Sequence, residues 1–173
     1  MAEFIAFNPE AEIRGRVILM FSRAMGDRGK TLLKKHGLAD VQPDMWYSQQ
    51  QWLDVLREVS LGTSGVMFDF MAVAKEISRN IPLPDDINSV EAVLFRESDV
   101  YKMNNRNCDG HFTAELIEPG HMFVTVCNPY PKIMMYGIVW GLATRFEPNA
   151  TVYYHTNNPC TADNDCCVYD VRW

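Results

Sequence analysis

The chain has 173 residues, 47% of them hydrophobic, which is enough for one globular domain with a packed core. Its net charge of −6 at pH 7, without any run of Lys and Arg, argues against a nucleic acid as a direct partner. No stretch of about 18 uncharged apolar residues occurs, so no membrane span is predicted. The first residues do not form a leader pattern, and we therefore expect a cytoplasmic protein with reduced cysteines.

The first part of the chain, residues 1–104, has the apolar spacing of helices. Apolar stripes predict helices in five segments: 12–25, 30–36, the residues after Asp44, 62–80 and 87–104. Pro82 and Pro84 are expected to form a rigid linker before the last of these. This part is therefore predicted to be a set of short helices.

The apolar spacing changes after residue 110. Alternating apolar residues predict four strands, at 111–117, 122–127, 150–156 and 166–173, with one helix between the second and the third. The fold class is therefore predicted as α+β, with N-terminal helices packed on a four-stranded antiparallel sheet and a β-β-α-β-β C-terminal half. We expect one sensor-type ligand-binding domain over 1–173, helical over 1–104 and β-β-α-β-β over 110–173.

The segment 127–145 is the part around which the rest is organised. Pro129 and Pro131 end the preceding strand, because proline fixes φ and lacks a backbone donor. The helix that follows is apolar on most sides. Gly137 and Gly141 each cost a helix about 1 kcal/mol relative to alanine. Glycine at these two positions therefore predicts that another backbone approaches the helix closely. We expect that neighbour to be a sheet, over which the helix can slide.

Four short motifs carry a resemblance to a known superfamily. They are Trp46-Tyr47, Asn128-Pro129-Tyr130-Pro131, Tyr136-Gly137-Ile138-x-x-Gly141-Leu142 and Cys167-x-Tyr169-x-Val171-x-Trp173. Over residues 40–173 the sequence resembles the ligand-binding superfamily of 4-vinyl reductase-like domains, haem-nitric-oxide-binding domains and the vesicle-tethering TRAPP subunits. The resemblance implies a homodimer-forming module with a pocket for a small apolar or aromatic molecule.

The expected pocket lies between the helix ending near residue 80, the helix of segment 127–145 and the sheet. The chain has ten methionines, whose flexible side chains suit an adaptable pocket but also fill ordinary cores. The predicted lining residues are Met67, Phe70, Met71, Phe95, Met122, Trp140 and Tyr154.

Four cysteines form a candidate zinc site, because thiolates at this density can bind the metal tetrahedrally. They are Cys127, Cys160, Cys166 and Cys167. Some 4-vinyl reductase-like sensors have a zinc site in the same C-terminal region, so the resemblance implies a possible site here. In those sensors an acidic residue lies three positions before a cysteine. The matching residue in this sequence is Asn157, whose side chain is a poor zinc ligand. The alternatives are buried or surface thiols, or a disulfide between Cys160 and Cys166.

Haem is a further candidate cofactor that the sequence argues against. None of the four histidines lies where a helix is predicted to face the pocket, as axial ligation requires. His111 or His121 would be the fallback ligand. The Tyr-x-Ser-x-Arg signature of haem-nitric-oxide-binding domains is also missing. Zinc therefore stays possible, and haem is not expected.

The function predicted from these features is a sensory domain for a small hydrophobic molecule that signals through dimer contacts or a protein partner. Three alternatives remain open: a haem- or zinc-containing sensor, an accessory subunit or enzyme acting on a tetrapyrrole vinyl group, and a structural adaptor. The sequence has no Gly-x-Ser-x-Gly, phosphate-binding loop or His-Glu-x-x-His motif. Their absence favours a binding module over an enzyme.

Overall fold

The computed structural model describes residues 3–62, 69–155 and 166–173. Six helices and seven strands occur in these ranges: β1 (Glu12–Arg14), α1 (Gly15–Ala24), α2 (Gly26–Lys35), β2 (Trp46–Ser48), α3 (Gln49–Ser60), α4 (Phe70–Asn80), α5 (Val90–Asn104), β3 (Asn105–Arg106), β4 (His111–Glu118), β5 (His121–Cys127), α6 (Lys132–Phe146), β6 (Thr151–Tyr154) and β7 (Cys166–Arg172). The α+β class and the β-β-α-β-β order of the C-terminal half are confirmed. Within these ranges, no helix is both long and apolar enough to cross a membrane.

Side-chain caps define the starts of three N-terminal helices. Ser48, Asp69 and Ser89 each accept a hydrogen bond from a backbone N–H in the first turn of α3, α4 and α5. The third helix, predicted after Asp44, begins at Gln49, and Asp44 forms an ion pair with Arg16. The start predicted for the fourth helix falls largely outside the described residues.

A small sheet with the order β2-β1-β3 was not predicted. Ile13 in its central strand lies opposite Tyr47 on one side and Asn105 on the other. The predicted helix 12–25 therefore begins with a strand, and α1 starts at Gly15. This sheet joins the start of α1 to the end of α5.

The main sheet is antiparallel with the order β4-β5-β7-β6. Its two central strands pair Met122 with Val171 and Val124 with Tyr169, and all four side chains are buried. Alternation along these strands places the apolar residues on one face, as the sequence predicts.

Helix α6 packs closely on α4. A β-carbon on Gly137 would collide with the Met71 carbonyl oxygen, and one on Gly141 would collide with the Lys75 carbonyl oxygen. The predicted close approach is therefore present, but its partner is helix α4 rather than a sheet. This contact fixes the position of α6 beside the cavity described next.

Candidate functional site

A cavity of about 620 Å³ lies among α1, α5, α6 and the C-terminal end of α4. Its buried apolar wall includes Ile13, Phe21, Trp52, Phe112 and Met134. Exposed residues of the wall, among them Arg16, Lys102 and Met103, mark its mouth. The volume and the apolar walls are those of a small-molecule or cofactor site.

Glu97 is the carboxyl group of this cavity wall. It lies in the middle of α5, its exposed fraction is 5%, and its Oε2 atom is buried without a hydrogen-bond partner. Burial raises the pKa of Glu97 to about 8, because water no longer stabilises the charged form. At neutral pH the cavity therefore contains a largely protonated carboxyl group.

Tyr101 lies one helical turn after Glu97 and also belongs to the wall. Its ring packs on Phe112 with centroids 5.2 Å apart, and its buried hydroxyl has no hydrogen-bond partner. The Cys108 thiol and the Gln49 amide lie close enough to influence the pKa of Tyr101. Burial is the main cause of the raised pKa of Tyr101, so the Tyr101 side chain is a neutral phenol.

A hydrogen-bonded network supports the wall next to Tyr101. The Tyr130 hydroxyl donates to Asn105 Oδ1 at 2.7 Å, and Gln49 Nε2 donates to the Tyr130 oxygen at 3.1 Å. Asn105 Nδ2 in turn donates to the Tyr101 carbonyl at 3.0 Å. Burial raises the pKa of Tyr130 as well. These groups satisfy one another, in contrast to Glu97 and the Tyr101 hydroxyl.

Basic side chains lie at or beside the mouth of the cavity, and two of them form ion pairs, Arg16 with Asp44 and Arg106 with Glu12. The guanidinium groups of Arg14 and Arg106 lie 4.4 and 4.6 Å from the centre of the Trp46 ring, which belongs to the wall. Lys102, also in the wall, makes no ion pair with the described part of the chain. An anionic substituent of a ligand would find favourable partners here.

The predicted lining residues lie elsewhere in the structure. Met67 is outside the described residues. The other six do not belong to the cavity wall: Phe70, Met71, Phe95, Met122, Trp140 and Tyr154. Phe95 is 51% exposed. The Trp140 indole N–H donates a hydrogen bond to the Ala150 carbonyl, and the Lys75 ammonium group lies over the Trp140 ring. The sequence predicted a pocket between α4, α6 and the sheet, whereas the cavity lies among α1, α5, α6 and the C-terminal end of α4.

The predicted zinc site is not formed. Cys127 and Cys166 lie opposite each other in β5 and β7 and are joined by a disulfide, so neither sulfur is a free thiolate. Cys167 is also disulfide-bonded, and Cys160 lies outside the described residues. In the described ranges, no group of three or more His, Cys, Asp or Glu could hold a metal ion. The prediction of reduced cysteines is wrong for Cys127, Cys166 and Cys167, and Cys166 does not pair with Cys160.

The histidines also lie away from the cavity. All four are in the described ranges, and none belongs to the wall. His111 is exposed at the start of β4, while His121 is buried with Nε2 3.1 Å from the Asp170 carboxylate. Neither fallback ligand is therefore in position to reach a molecule in the cavity.

Comparison with solved structures shows one recurring fold. An H-NOX (haem nitric oxide/oxygen binding) protein from S. oneidensis in the Fe(II)NO ligation state matches over 92% of this chain and 98% of its own, with 13% identity and a TM-score of 0.69. A variant of T. tengcongensis H-NOX matches over 92% and 97%, with 12% identity and a TM-score of 0.65. No protein-family model and no curated protein matches the sequence. The chain therefore has the H-NOX fold.

These matches correct the cofactor prediction and refine the resemblance. A further match has a TM-score of 0.67 and 14% identity. Its description concerns the modulation of haem redox potential through protein-induced porphyrin distortion. These structural neighbours are haem-binding H-NOX domains, which overturns the preference for zinc over haem. The haem-nitric-oxide-binding part of the resemblance is supported, whereas the 4-vinyl reductase-like and vesicle-tethering parts are not.

Proposed function

We propose that this chain is a sensory domain that holds a haem, or a closely related tetrapyrrole, in the cavity among α1, α5 and α6. The observation that carries the proposal is the cavity itself, about 620 Å³ with mainly apolar walls in an H-NOX fold. A structural adaptor would fill this space with its own side chains. The open cavity favours the ligand-binding alternative.

The wall fits a tetrapyrrole that is held mainly through its apolar faces. Side chains that commonly ligate haem iron are imidazole, thiolate, thioether and phenol. The described wall contains the last two types and neither of the first two; the residues are Met20, Met103, Met134, Met135, Tyr101 and Tyr130. Protein-derived iron ligation is therefore expected to be weaker than that of an imidazole.

Each part of the cavity has a separate role in this proposal. A bound haem supplies an iron centre at which a small gas molecule can coordinate. The apolar wall excludes water from that centre, and Lys102 at the mouth attracts the anionic edge of the ligand. Because α5 and α6 both contribute to the wall, occupancy can favour one packing of these helices over another. Dimer formation and a signalling partner remain predictions.

The test is a titration of the purified protein with haem, followed by the absorbance of the bound chromophore. Ile138→Trp is designed to fill the cavity from α6, and Met45→Trp is its matched control at a residue that is 58% exposed and outside the wall. We expect the wild type and Met45→Trp to bind haem equally. Ile138→Trp should bind about 10-fold more weakly or worse. Equal binding by a folded Ile138→Trp variant would contradict the cavity as the site.

A further inference from the structure

We propose that Glu97 binds the positive centre of the ligand, which in a metallated tetrapyrrole is the metal ion. This inference rests on the proposed function, because it assigns a role to one residue of the same cavity. The ligand class that it defines is a planar apolar molecule with a cationic centre and an anionic edge. The anionic edge would face the basic residues at the mouth.

The geometry of Glu97 is the first support for this assignment. The residue is only 5% exposed, forms part of the cavity wall, and makes no hydrogen bond or ion pair with the described residues. The neighbouring Arg96 does not neutralise it, since that guanidinium pairs with Asp86 and Asp99 outside the cavity.

The basic residues of the wall are engaged elsewhere or lie at its edge. Arg14 donates to the Asp44 carbonyl and stacks on Trp46, and Arg16 pairs with the Asp44 carboxylate. Lys102 is exposed at the mouth. Glu97 is thus a buried acidic residue that forms no ion pair with any of these basic side chains.

The energetic cost of this arrangement is the second support. A buried polar atom without a hydrogen-bond partner destabilises the folded protein, and the cost is larger if the group is charged. Unpaired titratable groups that line a cavity are concentrated at functional sites. A cationic centre in the cavity would supply the missing partner, and its attraction would stabilise the charged carboxylate.

Tyr101 is the competing candidate within the same wall. Its hydroxyl lies against Gly110, where a β-carbon would collide with it, and its neutral phenol carries no charge for a cationic centre. A carboxyl group becomes an anion far more readily than a phenol does. The cation-binding role is therefore assigned to Glu97.

The experiment compares iron(III) protoporphyrin with metal-free protoporphyrin, which has the same ring and edge but no metal. Each is titrated into the wild type, Glu97→Gln and the control Glu91→Gln, which lies on the same helix outside the wall. We expect Glu97→Gln to bind the iron form about 10-fold more weakly or worse. Its affinity for the metal-free form should stay within about twofold, and the absorbance spectrum of the bound iron form should change.

The outcomes separate this inference from the proposed function. If neither porphyrin binds to the wild type, the proposed function fails. If both porphyrins bind and Glu97→Gln has the wild-type affinity for each, the proposed function stands and the role of Glu97 is wrong. Equal weakening of both porphyrins in Glu97→Gln would show a structural role and would also overturn the inference.

Discussion

Gly141 in α6 lies so close to Lys75 in α4 that no side chain fits between the two backbones. A β-carbon on Gly141 would collide with both the Lys75 carbonyl oxygen and the Ser78 hydroxyl. Ser78 also belongs to the cavity wall. The contact that joins the two helices therefore also sets one side of the proposed ligand site.

Gly141→Ala is expected to destabilise the protein by about 1–3 kcal/mol, because overpacking forces the two helices apart. Urea-induced unfolding measures the free energy of unfolding. Arg79→Ala, on the exposed side of α4, is the control and should change that free energy by less than about 0.5 kcal/mol. A Gly141→Ala protein as stable as the wild type would show that α4 and α6 separate at little cost.

The C-terminal half could be predicted because its elements are long enough to show a period. Val124 and Val126 in β5, and Tyr169 and Val171 in β7, alternate with residues of the opposite face. Pro129 and Pro131 correctly marked the transition from β5 to α6. Local pattern and tertiary structure agree in this part of the chain.

Other features depend on contacts between distant residues, which a local pattern cannot show. Strands of two or three residues, such as β3, are too short for a periodic signal. The disulfide depends on strand register, which places Cys127 opposite Cys166. The glycine spacing in α6 predicted a close neighbour, but nothing in the sequence identified α4 as that neighbour.

Glu97 was missed because a glutamate in a helix is usually exposed to solvent. A signal was nevertheless present. The residue lies three positions after Leu94 and four before Tyr101, on the buried stripe that also includes Val90 and Val93. A charged residue on an apolar stripe requires an explanation, and the cavity supplies one.

Removing the Cys127–Cys166 disulfide is expected to lower the free energy of unfolding by about 3–5 kcal/mol. The bond closes a loop with a sequence separation of 39, and its loss restores conformational freedom to the unfolded chain. The double variant Cys127→Ala/Cys166→Ala tests this by urea-induced unfolding. Cys108→Ala, at a free cysteine, is the control. A double variant as stable as this control would contradict a stabilising bond.

Tyr130→Phe is expected to destabilise the protein by about 1–3 kcal/mol, because it leaves buried groups of Gln49 and Asn105 without one partner each. Thermal unfolding monitored by circular dichroism is a suitable measurement. Tyr153→Phe removes the same hydroxyl from a side chain that is 58% exposed and should have little effect. If both variants unfold at the same temperature, the network contributes nothing measurable to stability.

The stability of the ligand-free protein is expected to depend on pH through Glu97. Burial raises the pKa of Glu97 from 4.5 to about 8, so the folded protein holds this proton more tightly than the unfolded chain does. The contribution of Glu97 to the free energy of unfolding is therefore complete below pH 4.5. It falls by roughly 1.4 kcal/mol per pH unit as the pH rises towards 8, and then levels off.

Glu97→Gln carries no titratable group at this position, so its stability relative to the wild type should improve steadily between about pH 5 and pH 8 and then level off. Urea-induced unfolding at about pH 5, 7 and 9 measures this difference. Glu91→Gln controls for the general effect of removing a carboxylate from α5 and should keep a nearly constant offset from the wild type. A constant offset for Glu97→Gln as well would mean that Glu97 is ionised in the folded protein throughout this range. That result would place a counter-charge or water beside its carboxyl group and would remove the physical reason for a cation at the centre of the cavity.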